Sequence, residues 1–294
     1  MTEKKLKVRN RYGRNTFDFV LTQIIQCYED LEPFFNKLGI EDVTNEKRLS
    51  DIKLITQSRT KINPIHWIRM DFAYIITFMG LSEPGQKAIE SVFSKFYSSS
   101  FVKSILFFLS KKPHKDSIYY SNWKALCKNN FLKGAIVDDF QSVFKPDGSV
   151  HNDLNFNTLV SEEGKYYRFY GGHQYKLSHY FRHLYQIVKY FNGQKVLTYE
   201  EKYKYASILT AQLSTPEQIL FFVNSISTLG LEWELGKIIY DDINDYLITK
   251  YNLIRNIHDI TLNGKIDIRS FYPEVVFQFE EYPNERDSLK RDFK

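Results

Sequence analysis

The chain has 294 residues, 43% hydrophobic and 26% charged, which is enough apolar material for a sizeable core in one large domain or two modest ones. A formal charge of +5 permits nucleic-acid contact without demanding it, and no apolar run reaches the roughly 20 residues that a membrane-spanning helix needs. Two cysteines, Cys27 and Cys127, make neither a disulfide framework nor a CxxC metal site and suit a reducing cytoplasm, while 24 Phe and 21 Tyr against 13 Gly and 8 Pro point to long elements packed through aromatic faces.

In chain order, Lys4, Lys5, Lys7, Arg9, Arg11 and Arg14 form a basic arm opposed only by Glu3, either a solvated tail or a phosphate-binding one. The arm lacks the apolar core of a signal peptide, so a cytoplasmic location is expected. Residues 16–38 repeat apolar side chains at Phe17, Val20, Leu21, Ile24, Ile25, Tyr28 and Leu31, which is a helical period, with Pro33 and Gly39 marking a second short helix. The charged stretch 41–58 reads as a loop or a solvated helix. Asn63 and Pro64 open a strongly apolar helix that Gly80 closes. A helix from Glu83 to Tyr97 and a short apolar segment from Phe101 to Leu109 follow.

The polar, proline-broken run Lys111 to Ser117 is the best boundary, giving an N-terminal region 1–112 and a C-terminal region 118–294, unless the two are one continuous domain. Residues 144–169, with turns at Pro146-Asp147-Gly148 and around Gly164, read as an irregular excursion on a helical body. Ser178 is placed to cap a helix running to Asn192, with Phe181, Leu184, Val188 and Phe191 facing inward. Thr198 and Glu201 make a capping box for a helix to Leu213. Thr215-Pro216-Glu217 starts another that ends near Gly230, residues 235–260 supply one more, and 265–279 alternate like short strands. The fold class is therefore mainly α: a multi-helix, bundle-like globular fold with a minor irregular or β-containing excursion and C-terminal tail.

Three of the seven histidines fall between His173 and His183. On a helix, His179 and His183 lie four residues apart and share a face with Arg182 and Gln186. That spacing suits zinc, yet no carboxylate stands between the two histidines, so the HExxH pattern is missing and no metal or other cofactor is assigned. An acid or base role for His179 or His183 with Arg182 on phosphate requires no metal. Ribonucleases of the HEPN class pair Arg with a His four to six intervening residues later. Arg168 with His173 and Arg59 with His66 have that spacing, but chance also supplies it, and Arg255 to His258 is too short. Arg168, Lys176 and Arg182 interleave with Tyr170, Tyr175 and Tyr180, a pattern of cations for phosphates and rings for bases; the plainer reading is that most of these tyrosines are core. GxxxxGK[ST], GxGxxG and GxSxG are absent, which removes the common nucleotide-hydrolase, Rossmann and serine-hydrolase readings.

The run His179-Tyr180-Phe181-Arg182-His183-Leu184-Tyr185, followed by Lys202-Tyr203-Lys204-Tyr205 and Ala211-Gln212-Leu213-Ser214, resembles the phage abortive infection proteins of the AbiC-like group. The resemblance is densest from His173 to Asn224. It implies a bacterial anti-phage role in which the infected cell is sacrificed, and it names no reaction. Many members of that group carry an N-terminal membrane anchor, which this sequence does not show, and an arginine where this chain has Thr210.

The resulting expectation is a cytoplasmic defence protein whose working surface combines the segment from His173 to Gln186 with Gln212 to Asn224. His179, Arg182 and His183 are the catalytic candidates for metal-independent RNA cleavage, and Arg168, His173, Tyr175, Gln186, Gln212 and Asn224 the binding candidates. The partners expected are RNA or a phage component, and no membrane. The competing reading is a non-enzymatic sensor that recognises a phage component and acts through a partner, either a second copy or a protein of the same defence operon.

Overall fold

The computed structural model describes residues 15–35, 38–110, 112, 115, 120–121, 169–240, 245–257, 261–262 and 264–278. The basic arm, Cys127, Arg168 and His258 lie outside them. Among the described residues seven helices precede residue 112: α1 (Asn15–Asp30), α2 (Glu32–Phe35), α3 (Ile40–Val43), α4 (Glu46–Ser58), α5 (Pro64–Met79), α6 (Glu83–Phe93) and α7 (Ser99–Ser110).

The organising element is α5. The Asn63 side chain accepts from the amides of Ile65 and His66, Pro64 occupies the first turn where no amide is needed, and Gly80 stops the helix at φ 80°. Every residue from Trp67 to Phe78 is buried, so the helix is covered on all sides, as its nearly unbroken apolar sequence requires. It packs against α1, α2 and α6. Phe72 sits at the hub of an aromatic cluster, its ring centroid 4.3 Å from Phe93, 4.7 Å from Tyr97 and 5.5 Å from Phe101.

The charged stretch 41–58 is helical, with one side solvated, where Glu46, Lys47, Ser50, Lys53 and Leu54 are exposed, and one side buried. It forms α3 and α4, and α4 buries Arg48, Asp51, Ile52 and Ile55. Burial of the Arg48 guanidinium is compensated by Asp71 of α5, 3.2 Å away and equally enclosed, and by the Trp67 ring at 5.1 Å. Asp71 also accepts from the Tyr97 hydroxyl at 2.6 Å and the Thr228 amide at 2.7 Å. A carboxylate with this many donors ties α4, α5 and the 227–230 turn together.

The irregular excursion expected over 144–169 lies outside the described residues except for Phe169, whose amide donates to the Lys112 carbonyl at 3.2 Å, so that residues 112 and 169 meet at one point. Lys112 is itself buried, its ammonium 3.9 Å from the Phe169 ring and paired with Asp30, which also accepts from the Tyr170 hydroxyl.

Beyond it come α8 (Gln174–Asn192), α9 (Tyr199–Ala211) and α10 (Thr215–Ile226). α10 is buried along nearly its whole length and lies against both α1 and α5, so helices from either side of residue 112 share one core. The capping box at Thr198 and Glu201 forms as the sequence suggests, and Ser214 with Glu217 makes a second.

The region expected as one helix over 235–260 is broken. After a 3₁₀ turn (Leu231–Trp233), α11 (Gly236–Ile239) and α12 (Leu247–Tyr251) take its place. Asn252 closes α12 in the left-handed region at φ 51°, a conformation asparagine tolerates better than most residues. The strand signal in the tail reduces to an antiparallel pair, β1 (Thr261–Leu262) with β2 (Ile266–Asp267), before the short α13 (Ile268–Phe271).

Candidate functional site

The start of α8 is set by tertiary packing, not by Ser178. Gly80 (φ 80°) and Gly172 (φ 88°) press backbone to backbone: a Cβ on Gly80 would fall 2.6 Å from the Gly172 nitrogen, and one on Gly172 would fall 2.6 Å from the Met79 carbonyl oxygen. The Leu81 amide donates to Tyr170 O at 2.9 Å and the His173 amide to Phe78 O at 2.8 Å, so the 170–173 loop is stitched to the end of α5. His173 then takes the cap position and the helix begins at Gln174.

The inward stripe of α8 is Leu177, Phe181, Leu184, Val188 and Phe191, all buried. Its flanks are anchored as well. Tyr180 packs 5.0 Å from Phe17 and donates to Glu217 at 3.3 Å, and Tyr185 lies edge-on to Trp233 at 5.0 Å. Those contacts fix the rotation of the helix about its own axis.

With the rotation fixed, the opposite face is fixed too. At 3.6 residues per turn, Tyr175, His179, Arg182, His183, Gln186 and Tyr190 fall within an arc of about 100° centred opposite the buried stripe. All six are exposed. Among the described residues, no hydrogen bond or ion pair reaches the side chains of His179, Arg182, His183 or Gln186. The helix carries Lys176, Arg182 and Lys189 and no Asp or Glu anywhere along its 19 residues. Its outer face is thus cationic, aromatic and free of the carboxylates that would repel an anion.

The remaining candidates are placed differently. Tyr175 shares the face, and Gln212 is exposed at the end of α9. Asn224 does not join them: it is buried in α10 and donates to the Tyr74 hydroxyl at 2.8 Å. The reason is that α10 is a central helix, so the Gln212 to Asn224 segment leaves the surface after its first residues. Thr210, where the family resemblance leads one to expect an arginine, is buried, and its carbonyl accepts from Gln218 and Asn256. A long cation there would have to displace that packing.

His173 is buried too. Its Nε2 meets Gln23 Oε1, and Gln23 Nε2 donates 3.0 Å to Phe169 O, which leaves only the carbonyl end of the amide facing the ring. Nε2 must therefore carry the proton, and the enclosed Nδ1 has no partner. Burial, with Lys176 nearby, holds its pKa down at about 4. A neutral, enclosed imidazole of this kind is a fixture of the loop and not part of the outer face. Arg168 lies outside the described residues. In the other spaced pair, Arg59 is engaged by Glu274 at 2.8 Å and Glu234 at 3.5 Å, and His66 is hydrogen-bonded to the Tyr28 hydroxyl at 2.7 Å. Among the described residues no three His, Cys, Asp or Glu side chains come together as a metal site.

Sequence reasoning overlooked Tyr190, which the same helical count places at the far end of the stripe. It also overlooked the exposure of Ile187, Val196, Tyr205 and Ile208 on α8, α9 and the turn between them. No helix among the described residues is long and apolar enough to cross a membrane.

Residues 172–260 match the family model of the putative phage abortive infection proteins, a segment that begins at the close-packed glycine and includes all of α8, α9 and α10. The resemblance carried by the HYFRHLYQ run is borne out by that match, which covers less than half of the chain and implies a role in phage abortive infection. No curated protein and no solved structure matches the chain.

Proposed function

We propose that this chain is a bacterial abortive infection protein that acts in the cytoplasm by capturing RNA on the outer face of α8. The observation that carries this reading is the exposed arc of His179, Arg182, His183 and Gln186 on a helix without a single carboxylate. Cations neutralise phosphates and release their counterions, and an acid-free face imposes no competing repulsion. Capture is favoured over cleavage because general acid–base chemistry needs imidazoles oriented by neighbouring groups, and these two project from a convex surface. If cleavage does occur, His179 or His183 would move the proton and Arg182 would hold the phosphate.

The test is a phage challenge of cells expressing the parent or the His179→Ala, Arg182→Ala, His183→Ala triple variant, with RNA crosslinked to the protein in the same cultures. Loss of protection together with loss of crosslinked RNA is expected. Full protection by the normally expressed variant overturns the reading.

A second reading, a non-enzymatic sensor, draws on Ile187, Val196, Tyr205 and Ile208, large apolar side chains left exposed on α8, α9 and the turn between them, since exposed apolar groups suit a protein partner. Its signature is intact RNA in infected cells and a stable phage protein on the purified chain. Mass in solution separates a second copy of the chain from a partner of the same operon.

A further inference from the structure

Resting on the RNA reading, we infer that the ligand of the α8 face is single-stranded, its unpaired bases stacking on Tyr175 and Tyr190 while its phosphates run over the cations between them. These two tyrosines are 73% and 72% exposed, whereas most aromatic rings among the described residues are buried, and they stand at opposite ends of the stripe along the helix axis. Fifteen helical rises separate them, about 22 Å along the axis. At the stacked rise of about 3.4 Å per nucleotide that span covers about six nucleotides, and fewer if the strand is extended.

Cations stand along the same helix: Lys176 Nζ lies 5.5 Å from the Tyr175 ring, Arg182 sits midway, and Lys189 Nζ lies 5.5 Å from the Tyr185 ring, toward the Tyr190 end. A ring that receives a base face and a neighbouring ammonium that receives the adjoining phosphate are the two parts of a sequence-tolerant single-strand site. A duplex offers no free base faces to such rings. The deep major groove of double-stranded RNA admits no helix, and the inner half of α8 is seated on the protein body with α9 alongside, so the helix is poorly placed to sink into a B-form groove.

The experiment uses the full chain and fluorescence anisotropy with labelled oligoadenylates of eight and three nucleotides as RNA, the DNA octamer, and duplexes of 12 base pairs in both chemistries. The RNA octamer is expected to bind tightest, and the trimer, which cannot reach both rings, at least tenfold more weakly. Tyr175→Ala and Tyr190→Ala should each weaken octamer binding by tenfold or more, and Tyr175→Phe and Tyr190→Phe by less than about twofold, because the π-face survives. Thermal melting of each variant separates misfolding from lost stacking. Tighter binding of a duplex, or unchanged octamer binding by both alanine variants while Arg182→Ala still weakens it, overturns the stacking inference alone. If no nucleic acid binds in any arm, the RNA reading falls with it, and a phage protein captured on the same face has that consequence too. Tighter binding of the DNA octamer keeps the stacking site and overturns RNA as its ligand.

Discussion

Gln23 of α1 and His173 at the head of α8 lock one another's chemistry across 150 positions of chain: the glutamine amide, oriented by Phe169 O, accepts the Nε2 proton and leaves Nδ1 bare inside the protein. A second proton on that ring would be an enclosed donor without an acceptor. The folded pKa is therefore depressed, to about 4 against an ordinary 6.5. The unfolded chain binds more protons between these values, so the contribution of His173 is fully present above pH 6.5 and is lost as the pH falls toward 4. The size at stake is about 3 kcal/mol. His173→Gln should flatten the acid limb of the stability curve, measured by urea unfolding between pH 4 and 7 in parallel with the parent. An unchanged slope would mean that the imidazole is not held neutral.

The glycine contact below this histidine makes a sharper mutational prediction. Gly80→Ala and Gly172→Ala each combine a positive φ with a Cβ placed 2.6 Å from backbone atoms, and backbone cannot swing aside as a side-chain tip can. Each should cost at least about 3 kcal/mol and lower the melting temperature markedly. Gly171→Ala is the control, because a Cβ there meets nothing within 4 Å. It should change stability by less than about 0.5 kcal/mol. Equal effects at all three positions would refute the close approach.

Glu234 tilts the pH response the other way. It is fully buried, accepts from the Thr249 amide at 2.7 Å and from the Thr249 hydroxyl, and faces Arg59 at 3.5 Å. Burial nevertheless dominates and pushes its pKa up to about 7. With the folded value above the unfolded 4.5, the protonated native form is favoured, so this contribution is fully present below pH 4.5 and is lost as the pH rises through 7. Glu234→Gln keeps an acceptor for the Thr249 amide and removes the titration. The variant should gain stability relative to the parent as the pH is raised from 5 to 8, and a constant difference across that range would contradict the assignment.

Much of this architecture was legible because local signals agree with it. Asn63, Pro64 and Gly80 bound α5, and Phe181, Leu184, Val188 and Phe191 turn α8 inward by period alone. What escaped depends on partners remote in sequence. Ser178 is a good capping residue, but the cap falls five residues earlier, at His173, because Gly172 rests on Gly80, and no local pattern announces such a contact. The burial of His173 rests on Gln23, and that of Arg48 on Asp71 and Trp67. Residues 235–257 keep a helical apolar rhythm, yet Glu234 caps α12 from outside through Thr249 and Asn252 reverses the chain, which divides what periodicity alone would join. The outer stripe of α8 was readable in its middle from the i, i+4 histidines. Its end at Tyr190 follows from the same count once the rotation of the helix is known.

That stripe also predicts what its variants will not do. His179, Arg182, His183 and Gln186 are exposed, and no hydrogen bond or ion pair joins their side chains to another described residue. Substituting alanine, the strongest helix former, removes no packing and leaves no orphaned group. Each single variant should stay within about 0.5 kcal/mol of the parent in urea unfolding and keep its helical circular dichroism. Phe181→Ala, one residue from Arg182 on the buried side, should lose about 3–5 kcal/mol. The contrast gives the defence assay its meaning: if the exposed substitutions abolish phage protection in a protein that remains folded, the loss belongs to the surface and what it holds. Destabilisation by Arg182→Ala comparable with that of Phe181→Ala would place the arginine in the architecture and remove it from the working face.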